Sequence, residues 1–165
     1  MIVLILGGVR SGKSRLAERR AADTPGPVTY VATAVAADDD ADFAARIAAH
    51  RSRRPAIWTT VEAGAALTER LREIDGTVVV DSLGTWVAHH AAFDVDTAAL
   101  IDAITRRSGD TIVVSEEVGL GVHPATEVGR RFRDALGTLN QAVGDAADEV
   151  LLVVAGRVLP LERSQ

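Results

Sequence analysis

The sequence predicts an α/β fold, a single domain with a mostly parallel sheet flanked by helices. Three observations predict it. Short apolar runs rich in β-branched residues alternate with stretches of helical periodicity. A glycine-bearing loop stands directly between the first run and the first helical stretch. The 165 residues, 47% of them apolar, suit one domain with a full core, and neither an internal repeat nor a low-complexity linker divides them.

The elements follow in order. Ile2 to Leu6 is a continuous apolar run, the pattern of a strand covered on both faces. Lys13 to Ala22 reads as a helix, the turn residues Asp23 to Pro27 end it, and Val28 to Thr33 reads as a second strand. Asp38, Asp39 and Asp40 open a helical stretch that reaches Arg54, because carboxylates complement the positive end of a helix, and Pro55 stops it. Ile57 to Val61 reads as a short strand and Ala63 to Glu73 as a helix. Val78 to Val80 is a buried strand closed by Asp81, and helical segments fill the chain to Arg107. Thr111 to Ser115 is a strand that ends in Glu116 and Glu117. In the stretch from Ala125 to Val143, residues Val128, Phe132, Leu136, Leu139 and Val143 recur at three- and four-residue steps, an amphipathic helix. Val150 to Ala155 is the last buried strand, with an edge strand at Val158 to Leu161.

Gly7-Gly8-Val9-Arg10-Ser11-Gly12-Lys13-Ser14 matches G-x-x-x-x-G-K-[ST] at every fixed position, after a strand and before a helix. Glycines let the backbone wrap close to phosphates, with successive N–H groups and the helix N-terminus directed inward. Lys13 then reaches the β- and γ-phosphates of a nucleoside triphosphate, and the Ser14 hydroxyl ligates Mg²⁺. Lys13 is also the only lysine, since every other cationic side chain is arginine. In a chain that otherwise uses arginine throughout, the lone lysine marks a position that requires a compact ammonium. The same count excludes the Asn-Lys-x-Asp loop that reads guanine in Ras-like switches.

A second acid on the metal side has two candidates. Asp81 follows Val78-Val79-Val80, and Glu116 and Glu117 follow Ile112-Val113-Val114. A short carboxylate on a buried strand favours Asp81 for the metal and leaves Glu117 for the substrate side.

Arg46, His50, Arg53 and Arg54 fall on one side of a helix before Pro55, and His50-Arg51-Ser52-Arg53-Arg54 is a compact cationic patch. Such a patch suits a polyphosphate. Positive neighbours keep an imidazole neutral, and a neutral imidazole can carry a phosphoryl or nucleotidyl group. Spacing alone is equally satisfied by a solvated arginine face with an incidental histidine. His89, His90 and His123 read as surface or packing residues.

The formal net charge of −5 gives no broad nucleic-acid footprint, and the absence of cysteine excludes disulfides and thiolate metal sites. Met1 to Leu6 is too short to span a membrane and lacks a basic leader, so the expected location is the cytoplasm.

The wider series of motifs is more specific than the P-loop. It runs from Gly7–Ser14 through Tyr30-Val31-Ala32-Thr33-Ala34, Ala45-Arg46-Ile47, His50 to Pro55 and Trp58 to Glu62. It continues with Val80-Asp81-Ser82-Leu83-Gly84-Thr85-Trp86-Val87, Ser115 to Gly121 and Arg131-Phe132-Arg133-Asp134. Over nearly the whole chain this series resembles the bifunctional adenosylcobinamide kinase / adenosylcobinamide-phosphate guanylyltransferase family of cobalamin biosynthesis. The resemblance implies a RecA-like P-loop core, a homotrimer, and Mg²⁺ with ATP and GTP as substrates. It implies phosphorylation of adenosylcobinamide, then transfer of GMP from GTP through a histidine to adenosylcobinamide phosphate. By position His50 matches the nucleophile and Asp81 the acid after the central strand. Arg51, Ser52, Arg53, Arg54 and Glu62, with Ala32, Thr33 and Ala34, match nucleotide-contacting stretches. The P-loop and Asp81 taken alone are also satisfied by a kinase of another small hydroxyl substrate.

Overall fold

The computed structural model describes residues 1–34 and 54–163. The expected helix from Asp38, and Arg46, His50, Arg51, Ser52 and Arg53 with it, lie outside the described residues.

Ile2–Gly7 forms β1, Val28–Ala32 β2, Thr59–Glu62 β3, Thr77–Asp81 β4, Thr111–Glu116 β5, Glu149–Val154 β6 and Arg157–Leu161 β7. The helices are α1 (Lys13–Ala22), α2 (Leu67–Glu73), α3 (Leu83–Ala88), α4 (Thr97–Thr105) and α5 (Glu127–Ala146), with a 3₁₀ turn at Ala91–Phe93. The seven strands pair in the order β3-β2-β4-β5-β1-β6-β7, all parallel except the β6–β7 hairpin. This is the mostly parallel α/β sheet that the alternating pattern predicts.

The unbroken apolar runs have a simple cause, because both sheet faces are covered. Leu4, Leu6, Val78, Val80 and Val113 face a core completed by Leu67 and Leu71 of α2, Trp86 of α3, Leu100 and Ile104 of α4, and Leu136, Leu139 and Val143 of α5. Val3, Ile5, Tyr30, Val79, Ile112 and Val114 face the other way, against Ala17 and Ala21 of α1. A strand serving two cores keeps no polar face, so its period-2 signal disappears.

Boundaries moved where turn chemistry outweighed periodicity. β3 starts at Thr59 rather than Ile57, because the Trp58 N–H closes a turn onto the Pro55 carbonyl (3.0 Å) and leaves Ile57 90% exposed. α2 starts at Leu67 rather than Ala63, because Gly64 takes a positive φ of 51° and the Ala66 N–H turns back to the Ala63 carbonyl. α5 starts at Glu127, where the Thr126 side chain accepts the Gly129 N–H at 3.1 Å as an N-cap. The segment from Ser82 to Arg107 divides into two capped helices. Ser82 accepts from the Thr85 N–H and Asp96 from the Ala99 N–H.

Arg107 joins the layers. Its guanidinium donates to the carbonyls of Leu71 (2.8 Å), Ile74 and Gly76 (2.6 Å), satisfying the C-terminal end of α2 and the turn into β4. Burial pulls its pKa below the ordinary guanidinium value, with nearby Asp75 opposing. Arg107→Ala leaves these carbonyls without their donor and is expected to cost about 2 kcal/mol of folding stability. Urea denaturation measures this as a lower midpoint at unchanged slope; an unmoved midpoint rejects the assignment.

Candidate active site

Because the strands that carry the predicted residues are parallel, those residues emerge at one edge of the sheet. Gly7 ends β1, Ala32 ends β2, Glu62 ends β3, Asp81 ends β4 and Glu116 ends β5. Ala32 is level with both Glu62 and Asp81, while Glu116 is level with Gly7. The sequence-predicted Gly7–Ser14 loop, Ala32–Ala34, Glu62 and Asp81 therefore share this edge.

The loop from Gly8 to Gly12 is held in a tight turn. Ser11 N–H donates to the Gly8 carbonyl at 3.3 Å, Gly12 takes φ +100°, and Arg10 takes φ 56°. At Gly7 a Cβ would lie 2.5 Å from Ser11 Oγ and 2.7 Å from the Val153 carbonyl, so no side chain fits there. The turn of the β6–β7 hairpin also braces the loop, with the Gly156 N–H donating to the Ser11 carbonyl at 2.8 Å. Gly8, Val9 and Arg10 form the exposed rim. Gly12 gives α1 no side-chain cap, and Ser11 Oγ is buried without a hydrogen-bond partner. These unused polar groups suit an anion placed in the loop.

Lys13 is only 9% exposed, and Ser14 sits half-buried beside it in the first turn of α1. Lys13 Nζ donates to the Gly8 carbonyl (3.4 Å) and pairs with Glu116 Oε1, also at 3.4 Å. The other carboxylate oxygen of Glu116 accepts from Ser82 Oγ (3.0 Å) and from the Gly84 N–H (3.1 Å). A Cβ at Gly84 would come within 2.1 Å of that oxygen, so the glycine lets the carboxylate approach the start of the helix this closely.

Asp81 has different company. It accepts a hydrogen bond from the Tyr30 hydroxyl, and the Arg54 guanidinium lies over the Tyr30 ring at 3.3 Å from its centroid. Burial, then the adjacent Asp81 carboxylate, raises the Tyr30 pKa far above the ordinary phenol value, so the ring stays a neutral donor. Thr33 is fully buried: its hydroxyl donates to the Ser82 carbonyl at 2.7 Å and accepts the Ser82 N–H at 2.8 Å. Glu62 stands exposed at the end of β3, and Ala32 and Ala34 are half-buried.

Glu117 goes to another place. It helps line a cavity of about 350 Å³ under α5, with Leu4, Leu6, Arg133, Asn140 and Val150. The other histidines pack as expected. His89 Nε2 donates to the Thr33 carbonyl (2.9 Å), His90 meets Trp86 edge-on, and Arg133 donates to His123 Nδ1. Sequence reasoning missed Tyr30, Ser82 and Gly84 as supports of the two acids. A tyrosine inside a buried strand is the one signal that pointed to a polar partner there.

No group of three or more His, Cys, Asp or Glu among the described residues is placed to hold a metal ion. The oxygen donors Ser14 and Asp81 suit Mg²⁺ of the kind that arrives with substrate phosphates and keeps several waters. Among the described residues no helix is long and apolar enough to cross a membrane.

Comparison with known proteins bears on the fold and the family. A solved ATPase from the type III secretion system of pathogenic bacteria matches with a TM-score of 0.57 over 92% of this chain and 50% of that one, at 11% identity, a likeness of fold alone. The bifunctional adenosylcobalamin biosynthesis protein CobP of Pseudomonas aeruginosa is 43% identical, over 96% of each chain. The corresponding protein CobU of Salmonella typhimurium is 36% identical over 94% of this chain and 97% of its own. The family model for cobinamide kinase / cobinamide phosphate guanyltransferase matches residues 3–161. With its phosphate loop, its acid-ended parallel strands and this match over almost all its length, the chain belongs to the cobinamide kinase / cobinamide phosphate guanyltransferase family.

Proposed function

We propose that the chain performs both reactions of its family on one P-loop domain, as a cytoplasmic homotrimer. In the first, the hydroxyl oxygen of adenosylcobinamide attacks the γ-phosphorus of ATP or GTP. The bond to the β,γ-bridging oxygen breaks, the nucleoside diphosphate leaves, and the hydroxyl proton passes to solvent. In the second, a neutral His50 nitrogen attacks the α-phosphorus of GTP and pyrophosphate leaves. A phosphate oxygen of adenosylcobinamide phosphate then attacks the same phosphorus, the P–N bond breaks, and adenosylcobinamide-GDP forms. Two in-line displacements replace one transfer between two bulky anions.

The observation that carries this reading is the only lysine of the chain, held at the mouth of an uncapped helix inside a loop that admits no side chain at Gly7. The names of the relatives support the bifunctional assignment. In this reading the loop N–H groups bind the phosphates, and Lys13 offsets charge on the β- and γ-groups. Ser14 and Asp81 hold Mg²⁺, which would supply charge neutralisation at the transferring phosphate, and Tyr30 fixes the orientation of Asp81. Arg51, Ser52, Arg53, Arg54, Glu62 and the Ala32–Ala34 stretch contact the nucleotide.

Denatured protein that has been incubated with Mg²⁺ and [α-³²P]GTP is expected to retain acid-labile, base-stable label, and His50→Ala to lose it. Label that survives the substitution rejects His50 as the nucleophile. Phosphoryl transfer without any label points to a plain kinase instead. Lys13→Ala is expected to lower kcat/KM for the kinase step by about a thousandfold, a preorganised charge lost next to the transferring group. Steady-state kinetics with adenosylcobinamide checks this, and a loss below about tenfold rejects the role. Sedimentation equilibrium tests the trimer.

A further inference from the structure

The carboxylate paired with Lys13 has a consequence for which form of the nucleotide can bind. Glu116 Oε1 lies 3.4 Å from the lysine nitrogen, so it borders the place where the terminal phosphates meet that ammonium. It has little freedom to withdraw. Its second oxygen accepts from Ser82 Oγ at 3.0 Å and from the Gly84 N–H at 3.1 Å, two bonds that hold the carboxylate in place. Only 27% of its side chain is exposed, and that of Lys13 only 11%, so water screens the pair weakly. A triphosphate that takes over Lys13 therefore meets a fixed negative charge that has just lost its counter-ion.

We propose that Glu116 is a specificity-determining residue that makes the phosphate site select the Mg²⁺ complex of the nucleoside triphosphate over the metal-free anion. Metal-free triphosphate brings its full negative charge to the terminal groups and is repelled by Glu116. The magnesium complex arrives with those groups largely neutralised and meets little repulsion. The carboxylate thus excludes the unproductive form, which lacks the ion that phosphoryl and nucleotidyl transfer require. This inference rests on the reading of Lys13 as a ligand of the triphosphate.

The test compares the wild type with Glu116→Gln, which keeps the size of the side chain and an oxygen for Ser82 and Gly84. GTP binding is measured by isothermal titration calorimetry in excess MgCl₂ and, separately, in excess EDTA. The substitution is expected to tighten binding of metal-free GTP by about tenfold, one unit charge removed from the edge of a poorly screened site, and to change binding of the magnesium complex by less than about twofold. The ratio of the two constants within one protein is insensitive to a misfolded fraction. Equal tightening in both conditions, or no change in either, overturns the proposal. Weaker binding of the magnesium complex alone also overturns it and makes Glu116 a metal-side acid. A wild type that binds GTP in neither condition overturns the reading of the phosphate loop itself, and the Glu116 proposal with it.

Discussion

The close approach of Gly7 to Ser11 and Val153 is the constraint on which the rest of the site depends. It lets the chain leave β1, turn within a few residues and enter α1 with its first N–H groups uncapped. The turn is braced from outside its own segment, since the β6–β7 hairpin reaches it through Gly156. That hairpin turns on Ala155 and Gly156, both at positive φ, as a two-residue connection between twisted strands requires. A loop whose backbone must stay open to a ligand is thus kept rigid by neighbours rather than by its own side chains.

Charge at the open edge is handled in two separate arrangements. Lys13 pairs with Glu116, and Glu116 is tied to the start of α3. Asp81 is tied to Tyr30, and Tyr30 lies beneath Arg54. In both, a carboxylate is held on one oxygen by a neutral donor. The geometry of the acid is then set before any phosphate or metal arrives, which lowers the reorganisation that binding requires. The two acids are also staggered, with Asp81 level with Val114, two residues short of Glu116 on β5.

The two faces of the sheet do different work. Helices α2 to α5 bury a large core on one face and include the aromatic anchor Trp86, whose indole N–H donates to the Ala65 carbonyl at 3.0 Å. Among the described residues the face covered by α1 carries the smaller core and rests on alanines, which let the helix sit close to β4, β5 and β1. Close packing there keeps Lys13 near the strand ends instead of out in solvent.

Much of this was legible in the residues. The alternation of apolar runs and helical stretches determined the α/β class, and every strand appears within a few residues of its expected place. The P-loop was legible because its chemistry is local: glycines, lysine and serine act at fixed spacing within eight residues. Ile57, Ala63 and Ala125 were misplaced as element starts because a proline turn, a glycine at positive φ and a threonine cap override periodicity over three or four residues. Lys13–Glu116 and Tyr30–Asp81 were not legible at all. Each joins residues of different elements, α1 with β5 and β2 with β4, and a partner that far along the chain leaves no periodic trace. The sequence by itself determined the layers and the phosphate loop, because apolar patterning and backbone geometry are written locally. Only the tertiary structure decided which acid stands beside Lys13, because strand order, not sequence order, places β5 rather than β4 next to β1.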